Sequence, residues 1–217
     1  MKLHVIALFA GALLFTGCSS DNDDNATPSG GGGGGGGTGG TTQLTPTTPC
    51  SVQMTVNGTA VSVTADFVAY ECGTSSGGEA SAKEYGGSVV DINNDNDVVR
   101  LKFGRFSTGQ SVGLPTDSAF LSFFHTGTWP YGDAMAFNVA TVSTSEFLGS
   151  NYLTYSTAYG DQTGSTFEIT QMLPVTSQFF GTSLVVRATF NCKLYSEGGT
   201  LIKTITNGTA VVHLGNI

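Results

Sequence analysis

Asn57-Gly58 lies in the middle of CSVQMTVNGTAVSVTA (residues 50–65), between two runs that alternate apolar and polar residues. Val52, Met54 and Val56 fall on one side of it, Val61 and Val63 on the other. Asn and Gly both tolerate the positive φ of a tight two-residue turn, so this pattern specifies an antiparallel hairpin. The same punctuation recurs. SVVDINNDNDVVRLKFG predicts a second hairpin, with Val99, Leu101 and Phe103 on one face of its return strand. In LVVRATFNCKL, the even positions Leu184, Val186, Ala188, Phe190, Cys192 and Leu194 face one way, while Arg187, Thr189, Asn191 and Lys193 face the other. That alternation is a strand with one buried face. Further strands are expected in DAMAFNVA, NYLTYSTAY, STFEIT and TLIKTIT, the last followed by NGTAVVHL; only STSEFLG (143–149) has the make-up of a helical turn. With 31 glycines and 11% charged residues in 217, the chain reads as all-β. Residues 50–217 are expected to form a single antiparallel β-sandwich, with an up-and-down or lipocalin-like β-barrel as the alternative.

The N-terminus follows other rules. MKLHVIALFAGALLFTG (residues 1–17) carries one lysine and then a short apolar run ending in small residues, the layout of a secretory signal peptide. The run is shorter than the roughly 20 residues that cross a bilayer. FTGC at its end resembles the lipobox of bacterial lipoprotein precursors, in which the cysteine is acylated and becomes the first mature residue. The resemblance implies lipidation at Cys18, with palmitate-type chains, and an outer-membrane location. Several acyl chains, at about 0.8 kcal/mol per buried CH₂, would make that anchor stable. SSDNDD follows. Asp21, Asp23 and Asp24 resemble the export signal of surface lipoproteins; a plain solvated leader is the competing reading. Residues 18–49 then form a linker whose glycine run has maximal backbone entropy and nothing to bury. Such a disordered tether spans on the order of 30 Å. The membrane, reached through the lipid, is the first expected partner. Nucleic acid is not one, because a net charge of −8 with eight scattered basic residues cannot neutralise phosphates.

GDQTGSTFEIT, FFGTSLVVRATF and ITNGTAVVHL, with the opening VQMTVNGTAVSV, resemble the closing strands and first hairpin of uncharacterised β-rich bacterial lipoprotein domains. The resemblance implies fold and location, and no activity.

Candidate chemistry is sparse. Gly73-Thr74-Ser75-Ser76-Gly77 fits the G-x-S-x-G nucleophile pattern, but that elbow needs a strand-to-helix turn, and the following GEASAKEYGG reads as a polar loop. His125 and His213 are the only histidines of the domain. Asp91, Asn93, Asp95 and Asp97 alternate like calcium ligands, yet Asn96 replaces the turn glycine and Lys102 the final glutamate. A hairpin turn uses the same residues. Asn57 and Asn207 open Asn-Gly-Thr triplets, and both are accounted for as hairpin turns; Asp117-Ser118-Ala119 resembles a short bacterial O-glycosylation motif. No catalytic, metal or cofactor constellation converges in the sequence.

Two features remain. Cys50, Cys72 and Cys192 allow one disulfide in an oxidising compartment, and strand parity favours Cys72–Cys192. The stretch AFLSFFHTGTWPYGDAM (119–135) sets Trp129 and Tyr131 between Gly127 and Gly132. Either these rings form an exposed ligand-binding platform, or Trp129 folds back as a cap over Phe120, Phe123 and Phe124. Two function classes follow: an envelope binding module for a glycan, peptide or small ligand, or a structural and interaction protein without one.

Overall fold

A computed structural model describes residues 42–65, 70–79, 81–93, 96–107, 113–133, 135–177 and 181–217. Cys18, the signal peptide, Asp21, Asp23, Asp24, the glycine run and Asp95 lie outside them.

The described residues form eleven strands: β1 (Ser51–Val56), β2 (Thr59–Thr64), β3 (Tyr70–Glu79), β4 (Ala82–Asp91), β5 (Asn96–Ser107), β6 (Gly127–Thr128), β7 (Val139–Leu148), β8 (Asn151–Ser156), β9 (Thr166–Ser177), β10 (Gly181–Tyr195) and β11 (Leu201–Gly215). A short helix α1 (Asp117–Phe123) precedes β6, and a 3₁₀ turn spans Thr157–Tyr159. The strands build one antiparallel sheet in the order β2-β1-β11-β10-β8-β7-β5-β4-β3, with β9 flanking β10 and β6 flanking β9. No ladder joins β2 to β3 among the described residues, so the sheet is not closed into a barrel. It folds over instead, and the halves face each other as a sandwich.

Alternation explains the core. Leu184, Val186, Ala188, Phe190, Cys192 and Leu194 of β10 are all buried, as their parity predicts. They join Val52 of β1, Ala210 and Val212 of β11, and Val99, Leu101 and Phe103 of β5 in one apolar cluster. Gly87 on β4 brings the layers together most closely. A Cβ there would lie 2.7 Å from both the Val212 Cβ and the His213 carbonyl oxygen, so no larger residue fits without parting the layers. The outer face of β10 and β11 is covered by the incoming chain: Leu44 packs on Val185 and Val211, and the Arg187 Nη1 donates to the Thr42 carbonyl.

Several local expectations are corrected. Ser143–Leu148 of STSEFLG belong to strand β7, each paired with a residue of β8, and Gly149 lies in the turn that follows. The stretch GEASAKEYGG (78–87), expected as a loop, lies in the hairpin β3–β4, whose described strand residues pair in continuous register. Their Ser and Gly side chains hide the alternation that marks other strands. Asn57-Gly58 is the β1–β2 turn, with φ of 49° and 85°, but Asn207-Gly208 is no hairpin. It is a bulge inside the continuous strand β11, where the register slips opposite β10 between Phe190 and Cys192. Turns and bulges demand the same positive φ, so Asn-Gly alone does not tell them apart. The Phe190 ring lies over Gly208, where a Cβ would come within 2.5 Å.

The disulfide is also corrected. Cys50 bonds to Cys72, not Cys192 to Cys72. The chain before β1 and the start of β3 lie side by side, with Cα atoms 5.4 Å apart. Cys192 is inward-facing as its parity predicts, but parity carries no distance. It remains a free thiol in the core, and burial pushes its pKa up to about 12, so it stays protonated and inert.

Candidate functional site: the hairpin-tip end

Trp129 is 2% exposed, which removes the platform. Along β10 one flank is shared, β9 taking Gly181–Asn191 and β8 only Tyr195. The segment carrying Trp129 bridges the gap this leaves. Its Trp129 N–H donates to the Phe167 carbonyl on β9, and the Ala140 N–H of β7 donates to the Pro130 carbonyl. The indole meets Phe103 and Phe123 edge-on at 5.3 and 5.5 Å, stacks on His125 at 4.5 Å, and donates from Nε1 to the His125 carbonyl. Tyr131 is half-buried beside it. Its hydroxyl donates to the Thr166 carbonyl at 3.1 Å, and desolvation holds its pKa far above the ordinary phenol value. These two residues close the core. The glycines around them permit the fold-back rather than an exposed tip.

Helix α1 supports the same closure. Thr116 caps it, accepting from the Ala119 N–H at 3.2 Å, and Phe120 is fully buried. Ser118 stands exposed in its first turn. Asp117 accepts from the Asn216 side chain, and hydrogen bonds from Thr182 and Asn216 hold its carboxyl below the usual range.

The other sequence candidates resolve into structure. Ser75 of the G-x-S-x-G pattern lies in mid-strand on β3, paired with Gly86, so the elbow geometry is missing. In the acidic turn, Asp91 accepts from the Asn93 N–H, and the buried Asp97 pairs with Arg100 at 3.2 Å. Both contacts suit a hairpin turn.

The hairpin tips carry the exposed features. Four turns gather there. The Asn57 side chain of the β1–β2 turn bonds both ways to β11, through the Ile202 carbonyl and the Thr204 N–H. Asn96, at the β4–β5 turn, accepts from Phe147 beside the β7–β8 turn. Strands β8 and β10 touch only at Ser156–Tyr195 and splay apart beyond it. The result is a groove of about 340 Å³ between β8 and the β10–β11 turn, lined by Tyr152, Tyr155, Tyr159, Thr154, Ser196 and Glu197. Tyr152 is 52% exposed and Tyr159 38%. Tyr155 turns its ring to Lys203, whose ammonium lies 5.0 Å from the ring centroid and pairs with Glu146. Lys203 and Glu146 also line a neighbouring cleft of about 240 Å³, with Met54, Val61 and Asp97. The Tyr152 hydroxyl donates to Ser145 Oγ, which in turn accepts from the Asp97 N–H, so the wall between groove and cleft is fixed by hydrogen bonds. Half-exposed aromatic faces beside carboxylate, hydroxyl and ammonium groups can stack on a ligand and satisfy its hydroxyls. NYLTYSTAY announces all three tyrosines as strand residues, whereas Tyr159 lies in the 3₁₀ turn, and nothing local says they line a groove with Glu197.

No helix among the described residues is long and apolar enough to cross a membrane. Compared with protein-family models, curated proteins and solved structures, the chain finds no match.

Proposed function

We propose that this protein is a lipid-anchored binding module of the bacterial outer envelope that takes carbohydrate in the tyrosine groove at its hairpin-tip end. The convergence of Tyr152, Tyr155 and Tyr159 on one groove carries the reading. Sugar rings present an apolar C–H face that stacks on aromatic planes, and their hydroxyls suit Glu197, Ser196 and Thr154. The anchor rests on the FTGC sequence at Cys18 and the acidic run behind it. The site also suits display. The chain enters the domain along Arg187, eight residues before Tyr195 on the same strand, so the groove lies about 25 Å from that point at strand rise.

A second reading is favoured by one observation. Beyond Ser156 the edge of β8 has no ladder partner among the described residues, and Leu153, Leu201 and Ile202 are exposed nearby. An extended peptide could add there as a strand.

Two experiments test the proposal. Cells fed labelled palmitate should incorporate it into the wild type, and Cys18→Ser should abolish incorporation; label persisting in the variant refutes the anchor. The detergent-solubilised protein should bind neutral oligosaccharides on an array. Tyr152→Ala with Tyr159→Ala should weaken that binding at least about tenfold, with little change in unfolding midpoint, since both rings are substantially exposed. Binding of peptides alone supports the strand-addition reading. Binding of neither leaves a structural envelope protein.

A further inference from the structure

Away from the groove, Cys50, Cys72 and His213 bring two sulfurs and one imidazole nitrogen within 4.8 Å of one another. Sequence spacing gives no hint of this set, because its members come from the start of the domain, β3 and β11. Cys50 is buried and Cys72 exposed, so the cluster opens to solvent on one side only. Its surroundings are those of a ligand set rather than of a bare crosslink. The Cys50 N–H donates to Cys72 Sγ at 3.2 Å, so that sulfur is held by the backbone as well as by its bonded partner. His213 Nε2 lies 3.0 Å from the Thr48 carbonyl oxygen. A carbonyl only accepts, so Nε2 carries the proton and Nδ1 keeps the lone pair. Imidazoles that bind metals are held in this way, one ring nitrogen donating to a backbone carbonyl and the other left free. Gly87 packs against the His213 carbonyl and holds that part of β11 in place.

We propose that reduction of the Cys50–Cys72 bridge turns this cluster into a Cys₂His site for zinc. A dithiol reductant supplies two electrons and two protons, the S–S bond breaks, and the reductant leaves as its own disulfide. Zinc then binds both sulfurs and the imidazole, and two thiol protons are released. Tetrahedral donors at zinc bond lengths stand about 3.5–3.8 Å apart, so the sulfurs need only separate within the space the cluster already spans. Three protein ligands leave a fourth position for water on the exposed Cys72 side. The metal would restore the link between the start of β1 and β3 that reduction removes.

Cobalt(II) is the probe, because thiolate–cobalt bonds give intense charge-transfer bands and tetrahedral cobalt strong visible ones. The full-length protein, reduced and then freed of reductant without air, should develop both with one equivalent of cobalt and lose them to one equivalent of zinc. The oxidised protein should show neither. His213→Asn keeps its disulfide when oxidised, so its fold can be verified before reduction. It should then bind cobalt at least about tenfold more weakly, the cost already of losing a ligand's hydrogen-bond partner. Zinc should raise the unfolding midpoint of the reduced wild type and not that of the oxidised protein. Three results would each overturn the proposal: no thiolate–cobalt band in the reduced protein, equal affinity in His213→Asn, or equal binding by the oxidised form.

Discussion

Trp129→Ala should cost about 3–5 kcal/mol of folding stability, the range for deleting a buried large aromatic. The indole is 2% exposed and touches Phe103, Phe123 and His125, so its loss leaves a cavity where β9 and β7 part. Against a total stability of about 5–15 kcal/mol, this is a large share. Urea unfolding gives the figure directly. Trp129→Phe should recover most of the packing and lose mainly the hydrogen bond to the His125 carbonyl, about 1 kcal/mol. As the chain's sole tryptophan, Trp129 also reports its own position. Its emission should be blue-shifted and poorly quenched by acrylamide. Quenching as efficient as that of free indole, with no stability loss in the alanine variant, would place the ring outside.

The second large effect belongs to the disulfide. Cys50→Ala with Cys72→Ala should lower stability by about 3 kcal/mol, the chain-entropy value for closing a loop with a sequence separation of 22. Peptide mapping after alkylation of the unfolded, unreduced protein should show Cys50 and Cys72 protected and Cys192 labelled. Protection of Cys192 instead would restore the pairing that strand parity favours.

The strands that were plain in the sequence are those with one wet face and one dry one. Strand β10 is the clearest: the even-numbered residues of LVVRATFNCKL are buried as written, and on the other face only Val185, covered by Leu44, is buried as well. The hairpin β3–β4 was hidden because Ser75, Ser76, Gly77 and Gly78 carry too little side chain to show which face is buried. Asn207-Gly208 misled for a different reason: a bulge asks the same backbone angles of the same residues as a turn. Helix α1 left a trace in Thr116-Asp117 and the phenylalanines that follow, but seven residues are too few for a period to stand out. Trp129 and Tyr131 were legible as an unusual aromatic pair, yet direction was not, because glycine-flanked loops close as readily as they project. The tyrosine groove and the Cys50–Cys72–His213 cluster depend on strands distant in sequence meeting at a given register. No local pattern encodes that.

The disulfide has a mechanical consequence. Consider the chain pulled at Thr42 while the hairpin-tip end is held. The load first strips the Leu44 contacts and the Thr48–His213 hydrogen bond. It then reaches Cys50, at the end of β1 remote from the tips, before any ladder of the sheet is stressed. There it divides. Part runs into β1, which is hydrogen-bonded on both sides, to β2 and β11, and so resists in shear rather than by unzipping. The rest crosses the covalent bridge into β3 and the opposite layer. With the bridge intact both layers carry the tension together, and with it cut β1 must carry it alone.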